Sequence, residues 1–106
     1  MSNDQPPFRL SEARIALIGL GLMGGSLALA LRGKCETCLG LDPDPETLAL
    51  AREREIVDRA SADAADILPQ ANVIILAAPI NAILDWIAHL PALKPDSAVV
   101  LDLGSA

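Results

Sequence analysis

At 106 residues the chain has room for one small domain, in which about two-thirds of the unfolded chain's surface is buried on folding, and no room for two. It is 52% hydrophobic with one Phe, one Trp and no Tyr, so its core has to be built from Ala, Leu, Ile and Val, which suits buried parallel strands covered by helices. A total of 8 Lys and Arg against 14 Asp and Glu gives a formal charge of -6 with no basic cluster, which argues against a nucleic-acid or anionic-membrane partner.

Residues 1–13 are polar, contain Pro6-Pro7 and show no period, so they read as a flexible leader. Arg14-Ile-Ala-Leu-Ile18 then reads as a strand of the kind buried on both faces. The uncharged run from Ile15 to Leu31 is not a membrane span. It is shorter than the roughly 20 residues a span needs, it is broken by Gly19, Gly21, Gly24 and Gly25, and Asp4 and Glu12 precede it in place of a basic leader. A soluble cytoplasmic protein is expected.

Gly19, Gly21 and Gly24 stand at the spacing G-x-G-x-x-G, between that strand and a helix predicted from Met23 to Arg32 that stops near Gly33. Each glycine has its own task in a dinucleotide site. The first allows the turn off the strand, the second lets backbone approach a pyrophosphate, and the third lets helix and strand pack closely. The helix start adds free N–H groups and the positive end of its dipole. Such a motif is specific only in context, and the context is supplied further on.

Cys35 and Cys38 form a C-x-x-C. A structural zinc needs four ligands, and the only His, His89, lies far along the chain in a predicted helix. The two thiols therefore read as small hydrophobes at the entry to a strand, with no metal expected. That strand, Thr37 to Leu41, ends in Asp42, close to the roughly 20-residue offset at which an acid accepts hydrogen bonds from the adenosine ribose of NAD. An NADP site needs an Arg nearby for the 2'-phosphate, whereas Pro43-Asp-Pro-Glu46 follows. NAD is the expected cofactor.

Asp44-Pro45-Glu46 opens a helix that runs to about Glu55, with Asp as cap and Pro in the first helical position. Between Ile56 and Gln70 the pattern is weak; a short strand at Val57 to Ala60 and a short helix at Ala62 to Leu68 are expected. Val73 to Ala77 is a further apolar strand, stopped by Pro79. Ile80, Ile83, Leu84, Ile87 and Leu90 then recur as an amphipathic helical stripe, which Pro91 is expected to end. His89 falls off that stripe four residues after Asp85, as an exposed ion-paired residue. Trp86 flanks it, as edge packing or an interface contact. A last strand spans Ala98 to Asp102. These elements predict an α/β fold, a doubly wound parallel sheet of about five strands in the order 3-2-1-4-5 between two helical layers. The chain then stops at the carboxyl edge of the sheet, where ligands sit in such folds, as expected of a truncated piece or the first domain of a longer protein.

The segments Gly19-Leu-Gly-Leu-Met-Gly-Gly-Ser26, the strand-end Asp42, Ile74-Ile-Leu-Ala-Ala-Pro79 and Asp102-Leu-Gly-Ser105 together resemble the NAD-binding Rossmann domain of prephenate dehydrogenases, the group that includes arogenate dehydrogenases. The resemblance covers residues 14–106. It implies an oxidative decarboxylation in tyrosine biosynthesis, in which a base draws the proton from the ring hydroxyl as hydride passes to the nicotinamide. It further implies cofactor contacts at Gly19, Gly21, Leu22, Met23, Gly24, Asp42, Pro43, Ala77, Ala78, Pro79 and Ile83, and an active-site serine at Ser105. The family's catalytic histidine lies beyond the D-x-G-S segment, so the 106 residues are expected to bind NAD without turning over prephenate. The helical domain that follows in family members carries substrate contacts and most of their homodimer interface.

Two other readings stay open at this level. The glycine loop also resembles those of β-hydroxyacid dehydrogenases and pyrroline carboxylate reductases, and a non-catalytic NAD(H)-sensing module would use the same half-fold.

Overall fold

The computed structural model describes residues 9–78 and 80–103. Five parallel strands, β1 (Arg14–Ile18), β2 (Thr37–Leu41), β3 (Arg59–Ser61), β4 (Val73–Leu76) and β5 (Val99–Asp102), form one sheet in the order β3-β2-β1-β4-β5. The predicted order is the observed one. Its central strand β1 is paired along its length, Arg14 with Thr37 through Ile18 with Leu41 on one side and Ile15 with Val73 through Ile18 with Leu76 on the other.

Alternation along the strands divides the core into two layers, because successive side chains point to opposite faces. One face carries Ile15, Leu17, Cys38, Val73 and Ile75, covered by Leu20 and Ala28 of α1 and its leading loop and by Leu48 and Ala51 of α2. Here α1 is Leu22–Leu31 and α2 is Pro45–Glu53. The other face carries Ala16, Ile18, Leu39, Leu41, Ile74 and Leu76, covered by Ile67, Leu68 and Leu90. Those residues come from α3 (Ala64–Ile67), a 3-10 turn at Leu68–Gln70 and α4 (Ile80–Leu93). Burial on both faces of the sheet's centre explains why Ile15–Ile18, Cys38–Leu41 and β4 carry no charged or strongly polar side chain.

Local chemistry accounts for the helix ends. Asp44 caps α2 by accepting from the Thr47 N–H at 3.3 Å and the Thr47 hydroxyl at 2.7 Å, with Pro45 next in the chain. That contact holds the Asp44 carboxyl below its ordinary value. Gly33, at φ 75°, turns the chain after α1.

Several expectations are corrected. Residues 10–12 form a 3-10 turn, and Ala13 is 1% exposed with its carbonyl accepting from the Glu36 and Thr37 N–H groups, so the folded unit takes in the end of the segment read as a leader. The third strand lies at Arg59–Ser61, slightly beyond its expected place. The helix α4 passes through Pro91 to Leu93. Proline removes its own N–H from the ladder and crowds the carbonyl one turn back, yet the next turn still closes through the Lys94 N–H to the Leu90 carbonyl at 2.9 Å.

Candidate functional site

Beyond their last paired residues, β1, β2, β3 and β4 remain tied to one another. The Gly19 N–H donates to the Leu41 carbonyl (2.8 Å), the Ala77 N–H to the Ile18 carbonyl (2.9 Å), and the Asp42 N–H to the Ser61 carbonyl (3.2 Å). The carboxyl edge of the sheet thus brings the glycine loop, the strand-end acid and the Ala77-Ala78 loop into one place. A cleft of about 360 Å³ opens there, lined by Gly19, Gly21, Asp42, Pro43, Ala77 and Ala78, with Ala62, Ala82 and Trp86.

The three glycines differ physically. Gly19 has φ 102°, a backbone state that L side chains rarely adopt, and a Cβ there would lie 2.7 Å from the Ala77 carbonyl oxygen. At Gly24 a Cβ would stand 1.9 Å from the Gly19 carbonyl oxygen, so the start of α1 lies directly on the loop. At Gly21 a Cβ would meet nothing within 4 Å. That residue caps α1, whose first N–H groups have no carbonyl partner inside the helix. The open side of the loop therefore presents unpaired donors and the positive end of the dipole.

Asp42 is half-buried and acts in two directions. One carboxylate oxygen accepts from the Leu20 N–H of the glycine loop at 2.8 Å, and the other accepts from the Asp44 N–H at 2.9 Å. The Asp44 contact is the turn-capping role that any strand-end Asp can take. The Leu20 contact is different, because it fixes the acid against the loop. Each oxygen has a second lone pair left for a hydroxyl donor. Among the described residues lining the cleft there is no Lys or Arg.

Met23 sits in the first turn of α1, 42% exposed. Pro79 and Ser105 lie outside the described residues, as do the side chains of Leu22 and Ile83. Trp86 was legible only as a residue flanking the apolar stripe; the structure sets it in the cleft wall, with part of its surface packed on the second core layer. The usable signal was its place on the helix that follows β4, since that helix starts at the sheet's carboxyl edge.

The other conspicuous residues lie elsewhere. A hollow of about 580 Å³ opens beside Cys35, Cys38, Arg52, Asp58 and Arg59, around the amino ends of β2 and β3. Two of its charged groups are engaged in holding strands: Arg52 donates to the Ala60 carbonyl at 2.7 Å, and Asp58 accepts from the Cys38 N–H at 2.8 Å. Both cysteines are free. Burial, then the neighbouring Cys35 and Asp58, push the Cys38 thiol up to about 12, so it is inert as a nucleophile. His89 is exposed on α4, its Nδ1 2.8 Å from the Asp85 carbonyl oxygen and 3.7 Å from the Asp85 carboxylate. Among the described residues no group of three His, Cys, Asp or Glu is placed to hold a metal, and no helix is long and apolar enough to cross a membrane.

A sheet in this order, with a glycine loop at the end of β1 and an acid at the end of β2, is a nucleotide-binding arrangement. The family model described as prephenate dehydrogenase, nucleotide-binding domain, matches residues 27–106. The chain belongs to the prephenate dehydrogenase nucleotide-binding domain family. The match begins inside α1, after the glycine loop, so the loop stands as independent support from geometry.

Proteins similar to the chain agree. A cyclohexadienyl dehydrogenase of Zymomonas mobilis is 34% identical over 94 residues, covering 86% of this chain and 32% of the relative. The crystal structure of prephenate dehydrogenase from A. aeolicus in complex with hydroxyphenyl propionate and NAD+ superposes with a TM-score of 0.81 at 27% identity, over 92% of this chain and 35% of that one. Arogenate dehydrogenase from Synechocystis gives 0.78 at 36% identity, over 88% and 33%. The chain thus spans about a third of the length of the proteins it matches.

Proposed function

We propose that this chain binds NAD in the cleft at the carboxyl edge of the sheet and serves as the nucleotide-binding part, residues 14–106, of a cytoplasmic dehydrogenase acting on prephenate or arogenate in tyrosine biosynthesis. The observation that carries the cofactor assignment is the Asp42 carboxylate, fixed to the glycine loop through the Leu20 N–H in a cleft whose described lining has no basic residue. A ribose diol suits that acid. A 2'-phosphate would meet Asp42 with no cation among the described lining residues to offset it, and Asp44 and Glu46 follow in the chain.

The residues present fit the group. The open space over Gly21 and the first N–H groups of α1, including those of Leu22, Met23 and Gly24, suit a pyrophosphate. Asp42 and Pro43 are assigned to the adenosine side, and the positions of Ala77, Ala78, Pro79 and Ile83 to the adenosine and nicotinamide ribose side of the cofactor. NAD, when bound, supplies the acceptor for the substrate's hydride. Ser105 is assigned the hydrogen bond beside the reacting ring hydroxyl, and the histidine base lies in sequence beyond it. A downstream helical domain would supply substrate contacts and a homodimer interface.

Calorimetry with the 106-residue chain tests this. NAD is expected to bind in the micromolar range and NADP at least tenfold more weakly, with no turnover of prephenate or arogenate. Tighter binding of NADP would refute the role given to Asp42, and measurable turnover would refute the placing of the base outside this chain.

A further inference from the structure

Trp86 is the chain's one tryptophan, and there is no tyrosine. It is half-buried, packed against the second core layer and also part of the cleft wall. The residues around it in the cleft are small: Ala62 just after β3, Ala78 after β4, and Ala82 in α4. Apart from Asp42, none of the described lining residues carries a charge. The cleft therefore has one anionic point at the end of β2 and one flat aromatic surface on α4, with alanines leaving space between.

We propose that Trp86 is the wall against which the adenine ring of the dinucleotide packs, and so a specificity-determining residue for the base. The inference rests on the NAD-binding reading above. A ribose whose hydroxyls reach Asp42 carries its base toward Pro43, Ala62, Ala82 and Trp86. Adenine is planar, uncharged and apolar on its faces, which matches that surface. Base–aromatic contacts contribute about 1–3 kcal/mol by alanine substitution, or roughly fivefold to 140-fold in affinity. The seat of Trp86 on the core holds its ring in place before any nucleotide arrives, so little side-chain freedom is lost on binding.

Because Trp86 is the sole strong emitter, its fluorescence reports this contact directly. Saturable quenching by ADP-ribose, with the same Kd as calorimetry gives, is expected; nicotinamide mononucleotide at equal concentration should leave the emission unchanged. NAD in its oxidised form is the dinucleotide to use, since NADH accepts energy from tryptophan across longer distances. Two variants separate contact from bulk. Trp86→Leu keeps an apolar side chain but removes the π face, and should weaken NAD and ADP-ribose by the same factor, about tenfold. Trp86→Phe should bind both within about threefold of the wild type, because it keeps a π face. Saturable NAD binding with unchanged emission, or a Leu variant that binds like the wild type, would overturn the role of Trp86 alone. Absence of NAD binding to the wild-type chain would overturn both readings. The wild-type titrations stand even if a variant does not fold.

Discussion

Gly24 and Gly25 are neighbours in the first turns of α1, yet alanine should act oppositely at the two. A Cβ at Gly24 would lie 1.9 Å from the Gly19 carbonyl oxygen and 2.9 Å from its carbon, where ordinary contact begins near 3.4 Å. Backbone has to move by 3.4 less 1.9, or about 1.5 Å. Overpacking costs typically 1–3 kcal/mol when side chains can adjust. Here the obstacle is main chain that also packs against Ala77, so about 3 kcal/mol is expected, offset by about 1 kcal/mol of helix propensity gained from Gly to Ala. The net loss of about 2 kcal/mol lowers Tm by roughly 10 °C in a domain of this size. At Gly25 the nearest atom to a Cβ is the Leu20 carbonyl oxygen at 3.5 Å, ordinary contact. Gly25→Ala should therefore keep the propensity gain and melt at or a few degrees above the wild type. Thermal and urea unfolding followed by far-UV circular dichroism would measure both. If Gly24→Ala melted within about 2 °C of Gly25→Ala, the close approach of helix and loop would be refuted.

Asp42→Ala should destabilise the chain without any nucleotide present, since the part-buried Leu20 N–H loses its acceptor; a cost of about 1–2 kcal/mol predicts a Tm lower by roughly 6 °C, and an unchanged melt would contradict the clamp. Stability should fall with rising pH above 9: folded Cys38 keeps its proton to about 12 while an unfolded thiol loses its own near 9.0, so the folded state binds more protons across that interval. Urea midpoints taken between pH 8 and 11 should show this slope flattened in Cys38→Ala. Asp44 has the opposite sign, its folded carboxyl being lowered by Thr47, so its contribution is present above the ordinary carboxylate value of 3.8 and lost as pH falls through the folded value. Asp44→Ala should melt lower at pH 7 and show a shallower acid limb.

Much of the fold could be read from residues because β1, β2 and β4 are buried on both faces and have no polar side to blur the pattern. Asp42 was legible for a related reason: its distance from the glycine loop is set by one helix and one strand, and both are ordinary in length. Short elements were harder. Three paired residues at β3 carry too little alternation to fix a boundary, and its place is decided by the Arg52 side chain on the Ala60 carbonyl and by the ladder with β2. Pro91 misled because the helix runs only two residues past it, so the disruption a proline brings falls on the last turn. Trp86 escaped because helical periodicity tells which face of α4 meets the core and says nothing about which turn of that face overhangs the sheet's edge. Glycine at position 40 carries no pattern at all, yet a Cβ there would lie 2.5 Å from Leu20 Cδ1, so β2 leaves room for the side chain that anchors the loop.

The double attachment of Asp42 bears on how such a domain could exchange one cofactor for another. Admitting a phosphorylated ribose calls for losing the acid, but the same change releases Leu20 and loosens the loop before any new affinity is gained. A single substitution to arginine at position 42, which has no acceptor for the Leu20 N–H, is therefore uphill in stability as well as in binding to the original cofactor. A viable route would begin elsewhere, with a residue able to accept from the Leu20 N–H or a stiffer loop. Selection or design for NADP should then yield pairs of changes, with the silent-looking one arising first.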